Sequence, residues 1–159
     1  MPDQITSVVL SDHQQVAVDA ERLSEVANRA AAGEGARGEI SITLVSDEAM
    51  AELNLKYMGH TGPTDVLSFP IDGKVSSSPR QTPPMIGEVV LCPSYAAREN
   101  SDLAAELDLL VTHGVLHLLG YDHDTKSKAE LMQAAEIRVL GRYGAEAPRP
   151  ERARSQNPA

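Results

Sequence analysis

Three histidines crowd into one short run of the chain, LDLLVTHGVLHLLGYDHD over residues 107–124. His113 and His117 are four apart, so on a helix their imidazoles lie one turn apart on the same face. Gly120 can end that helix in the left-handed conformation that most side chains disfavour. The chain then turns back and carries His123 toward the other two. Three imidazoles so placed cap one side of a metal ion and leave a fourth position open, the pattern of a catalytic rather than a structural zinc. A purely structural reading would need a hydrogen-bond partner for each buried imidazole, and an apolar helix offers few.

The spacing H-x-x-x-H-x-x-G-x-x-H agrees with the metzincin protease signature in its histidines and glycine. That signature has Glu, as general base, after the first His. Here Gly114 stands there, and glycine can neither take a proton nor orient a water. Peptide hydrolysis thereby loses its base. A metal can still bring the pKa of its water near 7, so hydrolysis of another bond stays open.

The histidine helix needs a scaffold, and the flanking chain supplies alternating and helical patterns for one. Residues 5–10 (ITSVVL), 39–45 (EISITLV), 64–69 (TDVLSF) and 86–92 (IGEVVLC) read as four strands. Residues 16–32 place Leu23, Val26, Ala27 and Ala30 on one helical stripe, stopped by Gly33 and Gly35. Ser46 caps a second helix through Met50, Leu53 and Leu55. Pro93 or Ser94 opens a short third helix, and Ser101 is the expected cap of the histidine helix. That helix is apolar on several sides and is expected to be central and largely buried. Asp124 or Thr125 caps a last helix to about Leu140, with Leu131, Ala135 and Val139 as its buried stripe. The segment KYMGHTGP reads as a Gly-rich loop and residues 71–84 as a long exposed loop between paired strands.

Four strands interleaved with helical stretches read as one layered unit around a shared core. The chain has 159 residues, enough for one domain with a real core. Residues 1–144 read as that domain. Residues 145–159, with three Arg against two Glu and no apolar periodicity, read as a disordered tail. Aromatics are 3% of the residues, with no Trp, so the core must be mostly aliphatic. Cys92 alone forms no internal disulfide, suits a reducing cytoplasm and reads as a small buried hydrophobe. No leader or membrane-spanning run is evident, and a cytoplasmic location is expected. A formal net charge of −9 argues against broad attraction to nucleic acid.

Three segments carry a resemblance: GPTDVLSFP at 62–70, IGEVVLCP at 86–93 and THGVLHLLGYDH at 112–123. Together they resemble the YbeY family of bacterial metal-dependent endoribonucleases, over roughly residues 40–140. The resemblance implies an α+β fold, a mixed and mainly four-stranded sheet packed with about five helices, and one zinc ion per chain, held by His113, His117 and His123. It implies cleavage of single-stranded RNA, maturation of the small-subunit ribosomal RNA at its three-prime end, and ribosome quality control. Implied partners are that RNA, a small-subunit ribosomal protein and an Era-type GTPase. Such proteins often carry Arg where Met58 stands and Lys where His60 stands. An Arg would clamp phosphate in two-pronged fashion; Lys56 or His60 is the cation this chain offers instead.

Other polar groups near the strand 64–69 have two readings. Thr64, Asp65 and Ser68 either line a substrate cleft or, for Thr64 and Asp65, simply terminate a strand. Glu88 is a base or a solvent-facing residue, the second being favoured. Tyr121 stacks on a base or packs in the core, again with the second favoured. The expected chemistry is metal-assisted hydrolysis of a phosphodiester, with each ligand histidine held by an outer acceptor. Asp122 and Asp124 are the nearest carboxylates in sequence. The rival readings are an assembly factor whose metal only fixes the fold and a metal hydrolase of another substrate.

Overall fold

The computed structural model describes residues 6–72 and 84–141. Four strands form one sheet in the order β1-β2-β4-β3. They are β1 (Thr6–Asp12), β2 (Gly38–Leu44), β3 (Val66–Pro70) and β4 (Met85–Leu91). β1, β2 and β4 run parallel, while β3 is antiparallel to β4 and forms one edge. The sheet is thus mixed and four-stranded, and the fold is α+β, as the family resemblance implies. Among the described residues five α-helices accompany it: α1 (Ala20–Gly33), α2 (Asp47–Leu53), α3 (Pro93–Glu99), α4 (Leu103–Leu118) and α5 (Lys126–Leu140).

The main core lies on one face of the sheet. Ile40, Ile42, Leu44, Val66, Val89 and Leu91 point into it, met by Leu23 and Val26 of α1 and by Leu107, Val111, Val115 and Leu118 of α4. α4 is buried along most of its length, because it is sandwiched between the sheet, α1 and α5. Arg22 of α1 grips Asp108 of α4 with two hydrogen bonds of 2.9 and 3.3 Å. A smaller core on the opposite face gathers Leu67, Val90 and Cys92 under Met50 of α2. Cys92 is buried there, as expected of a small hydrophobe, and burial raises its thiol above the ordinary pKa.

Several local expectations need correction. The first helix starts at Ala20, not residue 16, since the Asp19 side chain accepts from Arg22 N and fixes the start there. α4 is capped by Asp102, whose carboxylate accepts from Ala105 N, and not by Ser101. Part of the expected Gly-rich loop is instead a π-helical turn, Asn54–Met58, closed by Gly59 at φ +73°. On α5 the buried row is Met132, Ala135, Glu136 and Leu140, while Leu131 is 65% exposed and Val139 is only partly buried. The expected long loop falls largely on residues 73–83, outside the described residues, as does the expected tail at 145–159.

Candidate metal centre

α4 ends as the sequence suggests. Gly120 has φ +106°, Tyr121 N donates to Leu116 O at 3.0 Å, and Gly120 N donates to His117 O at 3.1 Å. This pair of bonds is the Schellman ending, in which a left-handed residue lets two donors satisfy the last carbonyls. The reversed chain then brings His123 back beside α4. The ring centroids lie 4.8 Å apart for His113 and His117, 5.1 Å for His117 and His123, and 5.8 Å for His113 and His123. One nitrogen from each ring falls within 4.8 Å of the others, close enough for all three to hold one ion.

The turn that carries His123 is fastened from two sides. Tyr121 Oη donates to both oxygens of Glu34, at 3.1 and 3.2 Å, just beyond the end of α1. Arg138 of α5 reaches the same carboxylate at 3.4 Å. Tyr121 is therefore tied into the scaffold, in line with its packing role. Asp122 accepts from the backbone N–H of His123 at 2.7 Å, which shapes the turn.

His113 is 4% exposed, and its Nδ1 contacts the carboxylate of Glu136, itself 1% exposed on α5. Such a contact fixes the ring orientation and leaves Nε2 as the nitrogen His113 offers to a ligand. Asp122 and Asp124, the carboxylates nearest in sequence, do other things: Asp124 meets Lys128 at the surface, 3.5 Å away. Sequence reasoning missed Glu136. The signal was available, because Met132, Glu136 and Leu140 are spaced by four and share one face. A carboxylate in the middle of a buried row needs a cation or donor opposite it.

Burial and the neighbouring His113 and His123 push the pKa of His117 down to about 3, partly offset by Asp122 and a hydrogen bond with the Tyr121 backbone. His117 is therefore a neutral imidazole at neutral pH, the form that binds metal. Burial pushes Glu136 up to about 8, against the pull of His123. The buried Nε2 atoms of His117 and His123 make no hydrogen bond among the described residues. Buried ring nitrogens in this state, in a set of three converging imidazoles, fit a divalent ion such as zinc.

Gly114 fills the position of the missing base for a packing reason. A Cβ there would lie 2.9 Å from Val89 Cγ1 and 3.2 Å from Ser68 Oγ. Ser68 Oγ donates to Gly114 O at 3.2 Å, so α4 touches β3 and β4 at this residue. A glutamate cannot enter.

The expected substrate-facing residues divide. Lys56 and His60 are exposed, Lys56 lying 5.1 Å from the ring of Tyr57. Thr64, Asp65 and Ser68 are buried. Thr64 Oγ1 meets Asp65 Oδ1 at 3.4 Å, and Asp65 O accepts from Cys92 N. Ser68 is tied to the histidine helix through Gly114, beside His113. Glu88 accepts from Thr43 Oγ1 at 2.7 Å on the sheet face away from α4.

The chain sets a histidine-bearing helix beneath the edge strand of a mixed sheet, and comparison with known proteins assigns it a family. The family model described as Endoribonuclease YbeY matches residues 6–144. The chain belongs to that family. It is 42% identical over 125 residues to Endoribonuclease YbeY of Thermobifida fusca, covering 74% of this chain and 81% of that protein. It is 39% identical over 150 residues to the protein of the same name from Salinispora tropica, covering 86% and 96%. With that of Mycolicibacterium gilvum it shares 43% over 116 residues, spanning 68% of this chain and 65% of the relative. The solution structure of TM1509 from Thermotoga maritima is similar, with a TM-score of 0.54 and 28% identity over 84% of this chain and 89% of that one. Among the described residues no helix is long and apolar enough to cross a membrane.

Proposed function

We propose that this chain is a metal-dependent endoribonuclease that cuts single-stranded RNA, with His113, His117 and His123 as ligands of one zinc ion. The observation that carries the reading is the convergence of three imidazoles, one nitrogen of each within 4.8 Å of the others. The names of the relatives supply the substrate class, RNA. When bound, the ion supplies Lewis acidity toward a phosphodiester. The protein's own part is to present three ring nitrogens in fixed directions. Glu136 holds the ring of His113, the Schellman turn and the Tyr121–Glu34 clasp hold His123, and burial keeps His117 unprotonated. Gly114 supplies no base, which weighs against peptide hydrolysis. Lys56 and His60 are the cations we assign to the RNA backbone.

In the cell this activity would serve maturation of the small-subunit ribosomal RNA at its three-prime end and ribosome quality control, in the cytoplasm. A small-subunit ribosomal protein and an Era-type GTPase are the partners we expect. The test is cleavage of a structured ribosomal RNA fragment by wild type and by His117→Ala purified identically. The proposal expects cutting by the wild type alone, with the variant still folded. Equal cutting by both would assign the activity to another site. Loss of cutting only together with loss of fold would favour a structural metal.

A further inference from the structure

The π-helical turn Asn54–Met58 points three consecutive residues, Leu55, Lys56 and Tyr57, into solvent. π-turns are rare and recur at functional sites. This one is anchored. Asn54 is buried, its Nδ2 donates to Gly62 O at 2.8 Å, and its carbonyl accepts from His60 N. Tyr57 is 54% exposed although it is a large aromatic. Its ring stands edge-on to Phe69, with centroids 5.4 Å apart at 70°, so its orientation is set. Lys56 Nζ lies 5.1 Å from its centroid.

Phe69 belongs to β3, the edge of the sheet. Its neighbour Ser68 points to the opposite face and bonds Gly114, next to His113. The exposed tyrosine and the histidine helix therefore lie on opposite faces of the sheet, with β3, paired only to β4 among the described residues, between them. We propose that Tyr57 is a stacking platform for an unpaired base of an RNA strand that passes over β3 on its way to the metal centre, with Lys56 moving from the ring to the adjacent phosphate. This rests on the RNA reading above and adds to it how the strand is held. Stacking on an aromatic tolerates any base. It supplies local affinity that a chain of net charge −9 cannot obtain from its overall field. It also selects single strands, because a paired base has no free face.

The test uses the full, metal-loaded chain and a single-stranded oligoribonucleotide. Tyr57→Ala should raise KM for cleavage about tenfold, the loss expected for one stacked base, while kcat and melting temperature change little. Tyr57→Phe keeps the ring and should restore most of the loss. The chain has no tryptophan, so Tyr57→Trp adds a single reporter whose fluorescence the oligonucleotide should quench, whereas a fully paired duplex should not. Unchanged KM in Tyr57→Ala with an unquenched reporter, while the wild type cuts RNA, overturns the platform alone. A wild type that neither cuts nor binds RNA overturns the RNA reading and the platform with it.

Discussion

Gly114→Ala isolates the contact that sets α4 against the sheet. In an open helix the change would stabilise by about 1 kcal/mol, since glycine is that much poorer a helix former than alanine. Here the new methyl would lie 2.9 Å from Val89 Cγ1 and 3.2 Å from Ser68 Oγ. Val89 is fully buried and β-branched, so it has no alternative rotamer at hand. Overpacking of such a site costs about 1–3 kcal/mol. Pushing the helix away would also stretch the Ser68–Gly114 hydrogen bond, worth about 1 kcal/mol. The expected sum is a net loss of roughly 1–3 kcal/mol by urea denaturation, combining these terms. His113 shares this stretch of helix, so metal affinity should fall as well. A variant more stable than wild type by the full propensity gain would refute the close approach, and with it the explanation for the missing base.

Glu136→Gln should weaken metal binding about 10–100-fold, the usual effect of losing an outer carboxylate; a competition titration with a zinc chelator reads this directly, and unchanged affinity would remove Glu136 from the site. Metal-free protein should be most stable between about pH 4.5 and 6.5. Below that window His117, with its folded pKa of about 3 against an ordinary 6.5, costs stability because the unfolded chain binds the extra proton. Above it Glu136, at about 8 against 4.5, costs stability because the folded chain must give up a proton that it holds tightly. Denaturation midpoints across pH 3.5–8.5 in chelator check both limbs, and a profile rising steadily to pH 8 would contradict the second. Asp102→Ala should cost about 1 kcal/mol of stability and Ser101→Ala close to nothing, by the value of an N-cap.

Much of the centre was legible because its geometry is local. The spacing of His113 and His117, the left-handed Gly120 and the return of His123 all follow from one helix and its ending. Strand alternation likewise marks the sheet, since Ile40, Ile42 and Leu44 recur with period two and do face the main core. What depends on packing between distant segments was not legible. Glu136 meets His113 only because α5 docks on α4, and two neighbouring rows of α5 compete for burial: Leu131, Ala135 and Val139 against Met132, Glu136 and Leu140. The buried face takes Met132, Glu136 and Leu140 together with Ala135 of the other row, and Glu136 there meets His113. The choice of Asp102 over Ser101 is a shift of one residue between two good caps, which turns on how the chain leaves α3. The π-turn carries no periodicity of its own, so KYMGHTGP reads as loop.

The most direct test of the central claim is the zinc content of the folded protein, measured by native mass spectrometry on wild type and on His117→Ala. The account predicts one ion per chain in the wild type and none in the variant, with the fold of the variant retained. A His117→Ala protein that still carries a full equivalent of zinc would contradict it, because the three imidazoles would then not be the site.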